Sequence, residues 1–279
     1  LLTEAELASM NPQELVDRIH NQNNYKHRIL YYGPSSSKDL LATIEQYHQV
    51  PATLKDIPAG NEYSYLETPA TKVLVAPYEA KQIYMAQISN LDKKYDPAIE
   101  PTRELYNEYF GGGMNTIVFQ EMREARGLAY SAWANLAIPT NAKGDYYYMA
   151  FIATQNDKMQ KAIEAFDEII NNMPESEKAF DIAKEALISR LRTERTVKDG
   201  VLWSYIRMRD LGLTEPRGKQ IFEKAQQMTL ADVKAAQEKW VKGRKYVYGI
   251  LGDIQDLDLN YLKTLGPIQT VTQEEIFGY

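Results

Sequence analysis

MNPQELVDRIHNQNNYKHRILYYG (residues 10–33) and MTLADVKAAQEKWVKGRKYVYGILG (residues 228–252) follow one pattern. Each opens with Met and a capping residue, Asn11 or Thr229. An acid stands three places later, Glu14 or Asp232, where it can satisfy the free N–H groups of a helix start. Each then runs as a helix, crosses a short basic turn and enters an apolar stretch ending at Gly33 or Gly252, which predicts a strand. An amphipathic helix follows, with Leu40, Ile44 and Tyr47 in one copy and Leu257, Tyr261 and Leu265 in the other. A helix–strand–helix module used twice predicts two successive units. Residues 1–50 are then the tail of one unit. Residues 51–60, with Pro51, Pro58 and Gly60, are a linker, and residues 61–279 are a complete second unit.

Length and composition agree. A chain of 279 residues, 44% hydrophobic and 25% charged, can bury a core without staples and is not a disordered or collagen-like chain. No apolar run is long enough to span a bilayer. LLTEAELASM at the start has early acids and no basic segment followed by an apolar core, so it reads as the start of an excised or processed piece rather than a signal peptide. The absence of Cys excludes a disulfide scaffold, a thiolate zinc site and a Cys nucleophile. It leaves the compartment of a soluble chain open between cytoplasm and periplasm or cell envelope. A net charge of −6 disfavours nucleic acid and anionic membranes as partners. The densest basic stretch, Arg190, Arg192, Arg195 and Lys198, is interrupted by Glu194 and Asp199 and reads as a solvated helix face.

Within the second unit, TKVLVAPY (71–78) and QIYMAQISNL (82–91) predict strands and 97–110 a helix. Gly111, Gly112 and Gly113 break the chain, and a second helix over 115–126 stops at Gly127. LAYSAWANLAI (128–138) and DYYYMAFIAT (145–154) predict two more strands. The latter is apolar on both pleat faces, which predicts cover on both sides. Two long helices carry the stripes Met159, Ile163, Phe166, Ile170, Met173 and Phe180, Ala183, Leu187, Leu191. The expected class is α+β: a mostly antiparallel sheet with helices packed on one face and the other face turned to a partner domain.

Candidate chemistry is sparse. The three histidines, His20, His27 and His48, form neither H-E-x-x-H nor H-x-x-E-H, so no metal set is predicted and they read as surface residues. There is no G-x-S-x-G, and the triple glycine lacks the G-K-[ST] of a phosphate loop. Gly111, Gly112 and Gly113 read either as a turn into a helix or as substrate-binding positions, where a missing Cβ lets a bound peptide approach the backbone.

One stretch is more specific. YFGGGMNTIVFQEMREARGLAYSAW (109–133) contains the run Arg123-Glu124-Ala125-Arg126-Gly127-Leu128-Ala129-Tyr130-Ser131. It resembles the second, non-metal half of the M16 (pitrilysin/insulinase/mitochondrial processing peptidase-like) zinc peptidases. That half shows a glycine-rich break, a short helix and a run close to R-E-x-R-G-L-A-Y-S. The resemblance extends more loosely over 61–279, and the 1–50 tail suits the end of a preceding family unit.

The resemblance implies a clamshell peptidase. The partner half would carry H-x-x-E-H and the zinc, in the same gene or on a separate subunit. This half, with no metal of its own and inactive alone, would help form the substrate chamber. Arg123 and Tyr130 would reach the peptide backbone beside the metal. A guanidinium and a phenol suit that task, because water attack on a peptide carbonyl creates an oxyanion that such donors stabilise. A helix, the reversal at Gly127 and a returning strand can bring the two side chains together. Other readings of the same residues stay open. Arg123 can pair with Glu124, and Tyr130 can fill the sheet core between Leu128 and Ala132. Arg126 can be the working arginine or can pack beneath the turn, and Glu121 and Glu124 can be a solvated face. The alternative for the whole chain is a catalytically inactive M16-fold scaffold or peptide-binding protein.

Overall fold

The computed structural model describes residues 2–60 and 66–278. The chain divides into two units, residues 1–64 with 196–204 and 277–279, and residues 65–195 with 205–276. In the first unit, α1 (Glu4–Ser9) is closed by a Thr3–Glu6 capping box, α2 (Pro12–Gln22) is capped by Asn11, and α3 (Ser37–Tyr47) is capped by Ser36. None of the residues in these three helices is buried. The strand expected to end at Gly33 does not form: residues 28–32 lie outside any ladder. Strand formation needs a neighbour for the backbone groups. The pairing described in this unit is one isolated bridge, Tyr25 to Lys55.

The second unit begins with β1 (Lys72–Pro77) and β2 (Gln82–Lys94). A 3₁₀ turn leads into α4 (Glu100–Phe110), followed by the short α5 (Ile117–Phe119) and a π-helical turn over Gln120–Ala125. Then come β3 (Ser131–Ala137), β4 (Asp145–Gln155), α6 (Met159–Asn171), α7 (Glu177–Thr193) and α8 (Gly200–Asp210), whose residues 200–204 belong to the first unit. After α9 (Arg217–Ala225) and α10 (Leu230–Trp240) the chain finishes with β5 (Val247–Gly252), α11 (Leu259–Leu265), β6 (Ile268–Thr270) and α12 (Gln273–Phe277). The strand order is β3-β4-β2-β5-β1-β6. The β3/β4, β2/β4 and β2/β5 pairings are antiparallel, and β1 pairs in parallel with β5 and β6.

Register explains the core. Leu136, Tyr148 and Ser89 lie side by side across β3, β4 and β2, and so do Ala132, Ile152 and Met85. This row is buried together with Val73, Val75 and Ile250, and it meets Tyr106 and Phe110 of α4, Ile163 and Phe166 of α6, Phe180 and Leu187 of α7, and Val233 of α10. The opposite row, with Trp133, Tyr147, Met149 and Phe151, is only partly covered. Of the double-sided cover expected for DYYYMAFIAT, the described residues supply one side. Its second apolar row is an open sheet face, on which Phe151 stacks between Trp133 at 6.0 Å and Tyr84 at 6.1 Å.

The outer edge of β3 is blunted by α4 and the glycine break. Gly111 accepts from the Ala134 N–H at 3.1 Å. The Asn107 side chain accepts from the Leu136 N–H at 2.8 Å and donates to the Leu136 carbonyl at 3.1 Å. Arg103 also donates to that carbonyl at 2.7 Å. Side chains thus take the place of a further strand, a protection edge strands need.

Candidate functional site

The segment from Phe119 to Ser131 folds as a hydrogen-bonded reversal. Its π-helical turn is a rare backbone form that is frequent at functional sites. Gly127 turns the chain with φ +58°, a left-handed conformation that favours glycine. The Leu128 and Ala129 N–H groups both return to the Met122 carbonyl, at 2.9 and 3.2 Å. Lys158 donates to the Gly127 carbonyl at 3.2 Å and Thr154 to the Leu128 carbonyl at 2.6 Å, so β4 and the turn after it brace the reversal.

Arg123 and Tyr130 meet at this reversal. The Arg123 guanidinium carbon lies over the Tyr130 ring at 5.1 Å from its centroid. Nη1 donates to the Tyr130 carbonyl at 3.3 Å, and Nε is 3.5 Å from a Glu124 oxygen. Tyr130 lies one residue before β3, with its N–H bonded to the Ala153 carbonyl at 3.0 Å. Its side chain is not core between Leu128 and Ala132: Tyr130 is 71% exposed, because the strand proper starts only at Ser131. The Arg123 side chain is 42% exposed, so both donors are open to a ligand.

Arg126 has a different task. It reaches Glu168 of α6 at 2.7 Å and Glu121 at 3.4 Å, tying the reversal to the helix layer. The Glu168 hydrogen bond raises the Arg126 pKa against a small opposing burial effect, and the same bond lowers that of Glu168. Glu121 and Glu124 are therefore partners of arginines rather than an acid/base pair.

The glycines divide. A Cβ on Gly111 would stand 2.2 Å from the Ala134 carbonyl oxygen, so the close approach at this position is that of the chain's own β3. Gly112 and Gly113 are exposed. Beside Gly112 opens a cleft of about 430 Å³ between α4, β3, Arg190 and Arg217. Its charges are already committed. Arg103 and Arg217 bind the buried Glu100 at 3.1 and 2.6 Å, and Arg190 is 3.3 Å from Glu104 and 3.1 Å from Glu108. Burial alone would push the Glu104 pKa up, but Arg103, Arg217 and Arg190 outweigh it and hold the carboxylate ionised. This network belongs to the fold, and the cleft lining does not include Arg123 or Tyr130.

Three features escaped the sequence reading. The Arg123 guanidinium also lies over the Phe119 ring, again at 5.1 Å. The four-residue spacing carried the signal. The second is the aromatic row on the open face. The third is that His27 and His48 meet Nε2 to Nε2 at 2.6 Å. Two imidazoles fall short of the three or four ligands zinc takes. Among the described residues no group of three or more His, Cys, Asp or Glu could hold a metal ion.

A family profile for the peptidase M16 inactive domain matches residues 28–187, more than half of the chain. The chain belongs to this family. An M16 inactive domain from Pseudomonas fluorescens has the same fold at 21% identity and a TM-score of 0.59, over 78% of this chain and 51% of that one. A conserved protein from Enterococcus faecalis matches at 15% identity and a TM-score of 0.70, over 92% and 59%. A protease from Helicobacter pylori matches at 14% and 0.63, over 90% and 61%. This M16 chain therefore spans about half to three-fifths of the length of these relatives. No curated protein matches it. Among the described residues, no helix is long and apolar enough to cross a membrane.

Proposed function

We propose that this M16 inactive domain is the non-zinc half of a zinc endopeptidase. It forms one wall of the substrate chamber and presents Arg123 and Tyr130 to the peptide at the reacting carbonyl. The observation that carries this reading is the convergence of two exposed hydrogen-bond donors, seven residues apart in sequence, on one braced reversal. Arg123 and the Tyr130 hydroxyl donate to carbonyl oxygens of an extended peptide, and they bind more strongly as negative charge develops there. The exposed Gly112 and Gly113 let the peptide backbone pass close to the end of α4. The described residues do not fit zinc, so the metal and the water-activating residues are assigned to a partner half bearing H-x-x-E-H, in the same gene or on a separate subunit.

The first unit fits the same picture. Ile19 and Tyr47 are 62% and 74% exposed, as expected for the tail of a preceding M16 unit whose sheet would take residues 28–33 as a strand. The second reading, an inactive scaffold, draws on the contacts of Arg123 with Glu124 and the Tyr130 carbonyl, which occupy part of its donor set. Reconstitution separates the two. Turnover of an unfolded peptide is measured with this chain alone, with an H-x-x-E-H half alone and with their mixture. Activity confined to the mixture supports the peptidase half. A mixture no faster than the zinc half alone supports the scaffold.

A further inference from the structure

The Arg123 guanidinium is held from two sides of the sequence. Four residues before it, Phe119 closes α5 and presents its ring to the guanidinium carbon at 5.1 Å; seven residues after it, Tyr130 does the same at 5.1 Å. Phe119 is itself anchored, since it follows the buried Ile117 and Val118 and is half-buried. Tyr130, by contrast, is 71% exposed. A long, exposed arginine side chain otherwise spreads over many rotamers, and ordering it opposes binding. A ring against the guanidinium carbon narrows the conformers the side chain can reach. The π-helical turn places Phe119 and Arg123 over one another while Gly127 sends the chain back.

From this geometry we infer that Phe119 is a positioning residue: its ring fixes the place of the Arg123 guanidinium, so that the arginine meets the peptide carbonyl already held beside Tyr130. The inference rests on the peptidase reading for its purpose, but the alignment itself is a property of this chain.

The test has two arms. In the first, the Arg123 Nε–Hε resonance of the isolated chain, assigned with Arg123→Lys, is compared in wild type, Phe119→Leu and Phe119→Tyr. Loss of the ring-induced upfield shift in Phe119→Leu, and its retention in Phe119→Tyr, is expected. An unmoved resonance in Phe119→Leu overturns the positioning role without touching the peptidase reading. In the second arm, kcat/KM is measured in the complex with the zinc-bearing half. Phe119→Leu is expected to lower it about five-fold, mainly in kcat, with Phe119→Tyr restoring it and with no further loss in an Arg123→Ala background. An equal loss with and without Arg123 overturns the inference. Indifference of the complex to Arg123→Ala overturns the reading beneath it.

Discussion

Gly111→Ala probes the junction that sets both the edge of the sheet and the approach to the reversal. The new Cβ would lie 2.2 Å from the Ala134 carbonyl oxygen, 2.7 Å from its carbon and 2.9 Å from its Cα. All three are backbone atoms, so no side chain can rotate away. Either the end of α4 or the middle of β3 has to move by about an ångström, which is overpacking worth roughly 1–3 kcal/mol. The same movement opens the 3.1 Å Ala134-to-Gly111 hydrogen bond, a further ~0.5–1.5 kcal/mol. The combined loss of roughly 2–4 kcal/mol should lower Tm by roughly 5–15 °C for a unit of this size. Gly113→Ala is the matched control, because its Cβ would enter open space. It should be neutral, or stabilising by under about 1 kcal/mol. Thermal unfolding followed by circular dichroism reads both. Equal Tm values for Gly111→Ala and wild type would refute the close-approach argument.

Two further predictions concern buried charge. Burial pushes the Asp167 carboxyl on α6 up to about 6 from 3.8, against hydrogen bonds from Tyr248 and Gln87. The native state therefore holds this proton more tightly than the unfolded chain. Its stabilising contribution is complete below about pH 4 and is lost as the pH rises through 6, up to about 3 kcal/mol. Asp167→Asn should flatten that part of the stability–pH curve and be more stable than wild type at pH 8; parallel urea curves for the two at every pH would contradict this. Arg103→Met removes one of the two side-chain donors to the Leu136 carbonyl, leaving Asn107, and takes one partner from Glu100, whose side chain is only 1% exposed. It should cost about 3–5 kcal/mol in urea unfolding, with part of the loss recovered by adding Glu100→Gln.

Local signals were legible where local chemistry decides. The Thr229–Asp232 capping box does start α10, and the apolar stripes of α6 and α7 do face the core. The failures share one cause, dependence on distant partners. Arg28–Tyr32 has the apolar character that predicts a strand but lacks neighbouring strands among the described residues, so it joins no ladder. β3 begins three residues later than the pattern of 128–138 suggests, because Leu128 and Ala129 give their N–H groups to Met122 rather than to a strand. The predicted helix over 97–110 said nothing of Glu100 and Arg103, which are buried by Arg217, Tyr146 and the β3 edge, all from distant segments. At the site, Gly127 made the return of the chain visible and hence the meeting of Arg123 with Tyr130. Phe119, four residues before Arg123, is a neighbour the helical spacing offers, but it lies outside the run that begins at Arg123 and was missed.

The claim on which the functional account turns is that the Tyr130 hydroxyl is a donor to the reacting peptide. Tyr130→Phe removes one oxygen atom from an exposed ring and leaves the stacking surface for Arg123 in place. In the complex with the zinc-bearing half, kcat/KM for peptide hydrolysis should fall roughly 10²–10³-fold, with association of the halves unchanged. A complex that turns over peptide at the wild-type rate without that hydroxyl would contradict the account.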